Sequence, residues 1–159
     1  WNVLMTAPVS VSSVYFGKLA IILKITLFTQ IWIGILYLIT GKLVGFSGFP
    51  PFEILIWLLR GTLAAIAIGA LQLLLSMIIR SFSVPIGIAL LGSIVGFLFS
   101  NKGLGYFCPY ALMLMGMNSN KTEDSLQGGV LPFLLSTVVF FLLFSGCSIY
   151  ILKKRDVRA

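Results

Sequence analysis

Four long apolar runs constrain this chain more than any other feature of it. Residues 19–40, 54–79, 84–99 and 130–152 hold few charged side chains. A helix needs roughly 20 apolar residues to cross a bilayer, and the runs match that length or fall slightly short of it. A secretory signal has one shorter apolar core, so a cleaved leader does not account for four. Only 9% of the residues are charged, against about 25% in an ordinary soluble domain. The expected fold is therefore all-α: a polytopic transmembrane helix bundle, with residues 1–159 forming one transmembrane domain.

The connections agree with four spans. Residues 41–53 are rich in Gly and Pro, and Pro51 followed by Glu53 suits the opening turn of the second span. Arg80 and Ser81 begin a tight link, after which Pro85 is pre-set for another opening turn. Residues 101–129 form a long mixed loop. Its first part, GLGYFCPYALMLMGM, is apolar enough to dip into the bilayer surface, and NSNKTEDSLQGG reads as solvated loop. Residues 153–159 make a basic tail. Lys18, Arg80, Lys153, Lys154, Arg155 and Arg158 collect on one side and Lys42, Lys102 and Lys121 on the other, so the first side is expected to be cytoplasmic. The net charge of +7 is then explained by the flanks of membrane helices, with no call for nucleic acid. Lys24 and Arg60 fall inside spans, each near the surface where its span begins. Both are expected to snorkel back to that surface, and Arg60 could also meet Glu53 two turns earlier.

Ahead of the first span lies WNVLMTAPVSVSSVYFGK, the one amphipathic stretch. A short interfacial helix over residues 1–6 is expected to stop at Pro8, which lacks an N–H and pushes Ala7 out of the helical region. Ser10, Ser12 and Ser13 then offer caps for a helix entering the bilayer at Leu19. This piece is either an anchor, with Trp1 at the headgroups, or a lever that moves the first span. The chain opens at Trp1, apparently inside a helix, so preceding residues are expected.

Small and polar residues recur at helical spacing within the spans: Gly61, Ala65, Gly69, Gln72 and Ser76 in the second, and Ala89, Gly92, Gly96 and Ser100, with Ser93 beside them, in the third. Thr26, Gln30 and Gly34 do the same in the first. Such stripes let helix backbones approach in lipid. The third could alternatively face a partner subunit or a lateral substrate path. Nothing points to a catalytic centre or a metal site: there is no His, there are four acidic residues in all, and Cys108 and Cys147 are expected too far apart in depth to bridge. An intramembrane enzyme would want buried ionisable groups.

The opening stretch resembles the segment before the third span of type-2 ABC exporter permeases, where a coupling helix, a "TPVS"-like turn and "GK" precede the span. LLRGTLAAIAIGALQLLLSMIIRSF, VPIGIALLGSIVGFLFSNKGLGYFCPYALMLMGMNSN and the terminal ILKKRDV look like the lantibiotic-immunity permeases of Gram-positive bacteria, the paired "E" and "G" subunits. The resemblance implies the C-terminal four of six spans, with half-inserted helices in the outer loop. It also implies a plasma-membrane permease working with cytoplasmic ABC ATPase subunits, which would carry the ATP and Mg while this chain binds no cofactor itself. Trp1, Leu4, Met5, Thr6 and Pro8 would form the ATPase coupling site. A second permease, identical or different, would complete the membrane part, and a cationic peptide would be expelled from the lipid. The third span, with Gly92, Ser93, Gly96 and Ser100, would face that path. One departure is Val11, where relatives commonly carry a basic residue. Alternatives are a permease for bacitracin or another antibiotic, and a non-transport assembly or sensory subunit needing no ATPase.

Overall fold

A computed structural model describes residues 10–45, 52–119, 124, 126 and 129–156. Trp1, Leu4, Met5, Thr6 and Pro8, the expected coupling site, lie outside the described residues.

The first helix, α1 (Val11–Leu43), starts where Ser10 turns extended and its hydroxyl oxygen accepts the Ser13 N–H at 3.2 Å. That bond satisfies one of the four amides a helix start leaves without a partner. Helix α2 (Phe52–Ile78) carries Glu53 in its first turn, where a carboxylate suits the positive end of the helix dipole. Helix α3 (Ser83–Asn101) has Pro85 in its opening turn. A 3-10 turn (Gly105–Phe107) and the short α4 (Pro109–Gly116) follow, with α4 opening on its proline. Helix α5 (Val130–Asp156) closes the described chain. At 1.5 Å per residue, α1 is about 50 Å long, α2 and α5 about 40 Å each, and α3 about 28 Å. These four are long and apolar enough to cross a membrane, whereas α4, at 8 residues, is not.

Two buried clusters fix the topology. One joins Tyr15 and Leu19 of α1 to Ala70 and Met77 of α2 and Leu152 of α5. The other joins Ala64 of α2 to Leu112 and Met115 of α4, Leu126, and Phe133 of α5. The start of α1 therefore lies beside the ends of α2 and α5, and the half-way region of α2 lies beside α4 and the start of α5. The bundle is antiparallel, with a Tyr15 end and an Asp124 end. Helix α2 enters both clusters and is the most buried span; α1 is the least.

Ile21, Ile25 and Phe28 on α1, Leu90 and Ile94 on α3 and Leu131 and Leu142 on α5 turn outward. In water such faces would be costly, but lipid tails are as apolar as leucine, so a bundle in a membrane can leave them uncovered. Hydroxyls within the bundle are handled internally. Thr62 donates to the Leu58 carbonyl at 2.8 Å, Thr137 to Phe133 at 2.8 Å and Ser148 to Phe144 at 2.7 Å, each one turn back along its own helix. Tyr15 instead reaches across: its hydroxyl donates to Ser145 Oγ of α5 at 2.8 Å.

Candidate functional site

The polar and small residues of the spans converge on one element, the half-helix α4. The chain leaves α3, reverses at Gly103, whose φ of +73° suits a residue without a Cβ, and turns back along the bundle. Helix α4 then packs on α2, α3 and α5, and Ala111 and Leu112 are fully buried. The segment expected to dip into the bilayer surface thus sits among the spans.

Glycines make room for it. A Cβ built at Gly96 would lie 2.8 Å from the Ala111 amide nitrogen and 2.9 Å from the Tyr110 carbonyl carbon, so only glycine lets the α4 backbone come this close. A Cβ at Gly92 would collide with the Tyr110 ring. Gly92 is the midpoint of α3, nine residues from either end, so that ring reaches half-way along the span. On α4's far side, Gly116 rests on the Arg60 backbone, where a Cβ would come within 3.1 Å of the Arg60 carbonyl carbon. Just past the end of the helix, Asn118 lies in the left-handed region at φ +50°. The amides of Asn118 and Ser119 close back on the Met115 and Leu114 carbonyls at 3.2 and 3.0 Å.

Two polar links join this wedge and its C-cap to the spans, and a third joins the loop that follows it. Gln72 of α2 donates to the Tyr110 hydroxyl at 2.7 Å. Gln30 of α1 donates to Met117 Sδ at 3.8 Å, beside Gly61, where a Cβ would strike the Met117 side chain. The Gln30 side-chain oxygen, Oε1, is buried without a hydrogen-bond partner among the described residues. The third link is ionic: one Arg60 guanidinium nitrogen donates to both carboxylate oxygens of Asp124, at 3.0 and 2.9 Å. Asp124 also accepts the Leu126 N–H at 3.1 Å. Partial burial pushes the Asp124 carboxyl up, but the Arg60 hydrogen bond, the Leu126 amide and the Arg60 charge together outweigh it and hold the group below the usual carboxylate range.

This corrects the sequence expectation for Arg60. Its partner is Asp124, and Glu53 is exposed. A side chain pointing toward the start of its helix can meet the loop above as readily as the preceding turns, and here the loop carries the nearer carboxylate. For the α3 stripe, packing within the chain is the arrangement observed at two of its glycines. Gly92 and Gly96 face Tyr110 and Ala111 of the same chain, and Ser100 sits half-buried beside Gly105. Only Ser93 of that set looks outward, with its hydroxyl given to the Ala89 carbonyl at 2.9 Å. Of the other candidates, Gly61, Gly69 and Gln72 all lie on contacts within the chain, Gly69 against Ile22 of α1. Arg80 and Ser81 are exposed in the link between α2 and α3, and Lys24 is exposed on α1.

Sequence reasoning did not nominate Tyr110, Met117, Asp124, Tyr15 or Ser145. An aromatic residue next to a helix-opening proline in an apolar loop was the one available signal for Tyr110. Among the described residues, no three His, Cys, Asp or Glu side chains gather as metal ligands, and Cys108 and Cys147 are free thiols. The arrangement is a wedge packed between spans, with polar contacts to α1 and α2.

A family model described as ABC-2 family transporter protein matches residues 1–96, more than half of the chain. No curated protein and no solved structure matches it.

Proposed function

Because the chain belongs to the ABC-2 family of transporter proteins, we propose that it is the permease subunit of an ATP-driven exporter that removes a lantibiotic or similar cationic peptide from the membrane, giving self-immunity. The family match carries the permease part of this reading, since it runs from the opening stretch through Gly96 and so covers both the proposed lever and the cradle of the half-helix; the peptide substrate rests on the resemblance alone. ABC-2 permeases work with ABC ATPase subunits, and in this reading ATP and Mg reside there.

The Tyr15 end is the cytoplasmic one in this scheme. Lys18, Arg80, Lys153 and Lys154 belong to that end, with Lys42 and Lys102 at the other, as the positive-inside rule requires. Residues 1–6 sit in a groove on an ATPase subunit, with Leu4 and Met5 as the apolar anchors, and Pro8 passes the stroke into α1. A second permease, identical or different, completes the membrane part. Arg60, the charged residue of α2 beyond its first turn, is paired with Asp124, which fits a lateral, lipid-side route for an apolar peptide better than a charged central chamber. The outward face of α3 with Ser93 borders that route, and α4 closes its outer end.

Replacing Leu4 and Met5 together with Asp tests the scheme. Peptide resistance should be lost while membrane insertion and expression stay normal. Unchanged resistance at normal expression would refute the coupling role, and failure of an ATP-binding subunit to co-purify with the wild type would refute the exporter reading itself.

A further inference from the structure

We infer that the Tyr15–Ser145 contact is a coupling joint, through which motion arriving at the start of α1 is handed to α5. The inference rests on the permease reading and adds to it a second output helix. Tyr15 lies five residues beyond the Ser10 cap, in the second turn of α1, where any push from residues 1–9 must enter the bundle. Its ring is fully buried against Leu19, Ala70, Met77 and Leu152. Its hydroxyl donates to Ser145 Oγ at 2.8 Å, bridging 130 positions of sequence.

The rest of α1 is held far more loosely. Beyond Leu19, Gln30 is the one buried residue among those described on this helix. The other close approaches put Ile22 over Gly69 and Leu58 near Gly34. A rod clamped at its base and lightly held above moves its clamp with it. Because both hydroxyls are buried, slipping of α1 past α5 would break their hydrogen bond and leave the Tyr15 hydroxyl to find another partner. The base of α1 and the neighbouring part of α5 therefore shift together, and relative motion is left to the Asp124 end.

Tyr15 is a positioning residue in this account, so the test reads position. The full chain with its ATP-binding partner is placed in liposomes on a Cys147→Ala background, and spin labels are introduced in pairs. Ile21→Cys with Tyr150→Cys reports the Tyr15 end; Tyr37→Cys with Leu131→Cys reports the other. All four positions are exposed. Distances are measured without nucleotide and with ATP plus vanadate. The joint requires the first distance to stay constant between the two states while the second changes. Tyr15→Phe keeps the ring and removes the link, and should make the first distance nucleotide-dependent. Ser145→Ala should do the same, and the double variant should do no more than either. A first distance that already changes with Tyr15 and Ser145 intact would overturn the joint, as would two variants that both behave as wild type. If neither distance responds to nucleotide in the wild type, the permease reading falls and the joint with it.

Discussion

Gly96→Ala puts the cradle of the half-helix to the test with a single methyl group. The added Cβ would lie 2.8 Å from the Ala111 nitrogen and 2.9 Å from the Tyr110 carbonyl carbon, where ordinary contact begins at 3.4 Å, so α3 and α4 must separate by about 0.6 Å. Both obstacles are backbone atoms and cannot swing aside as a side chain would. Overpacking of this kind costs roughly 1–3 kcal/mol. Alanine's better helix propensity returns up to about 1 kcal/mol. Gly87→Ala, on the same helix with nothing within 4 Å of its Cβ, measures that return by itself. The difference between the two variants should therefore be about 1–3 kcal/mol, or roughly 5- to 150-fold in the population with α4 displaced. Cys108 reports that population, because it is buried at the cap of α4 while Cys147 is exposed and can be replaced by Ala. In native membranes, maleimide should label Cys108 roughly 5- to 150-fold faster in Gly96→Ala than in Gly87→Ala. Equal rates would mean that α4 does not rest on Gly96, and the reasoning that built the site would fail with it.

The ion pair and the buried hydrogen bond give two further tests. Asp124→Asn should destabilise the protein by about 1–2 kcal/mol at neutral pH, the range for a charge-assisted bond that is only partly buried. Because folding lowers the Asp124 pKa, its contribution is fully present above the ordinary carboxyl value near 4 and is lost as pH falls through the lower folded value. The stability gap between wild type and Asp124→Asn in denaturant should thus hold from neutral pH to about 5 and shrink below about 4; a gap as wide in acid as at neutrality contradicts the pairing. Tyr110→Phe and Gln72→Leu, combined in a double-mutant cycle, should show a coupling of about 0.6–1.7 kcal/mol, the range measured between membrane helices. A coupling near zero in detergent unfolding would say that the 2.7 Å contact does not hold α4 down.

How far the fold could be read in advance divides along a physical line. Hydropathy is set residue by residue, so the four runs announce four spans, and Ser10 announces the start of α1, without any tertiary information. The small-residue stripes also place the packing faces correctly, because Gly92 and Gly96 must share one side of any helix that contains them. What occupies a face is a different kind of question. A glycine specifies an absence, and an absence can be filled by a partner chain, a lipid or a loop that folds back. Here Tyr110 and Ala111 fill it, from a segment that apolar composition alone assigned to the bilayer surface. Arg60 makes the same point in charge. Helical periodicity can nominate Glu53, on the same helix, but it cannot see Asp124, which is 64 positions away in sequence and reaches Arg60 through a loop.

The unequal burial of α1 and α2 then acquires a mechanical meaning. Helix α2 takes part in both buried clusters, touches α4 through Arg60, Gly61 and Gln72, and meets α1 at Gly69. Moving it would disturb both clusters and its contacts with α1 and α4 at once, so in the proposed permease it is the fixed member of the bundle. Helix α1 breaks little beyond the Ile22, Gln30 and Gly34 contacts with α2 and Met117 if its outer length tilts, and lipid can cover whatever apolar surface the tilt uncovers at small cost. A transport stroke that entered through α2 would have to pay for both clusters. One that enters at Tyr15 spends its work at the base of α1 and α5, and from there reaches α4 through Gln30 and Met117 on the α1 side and through Phe133 on the α5 side.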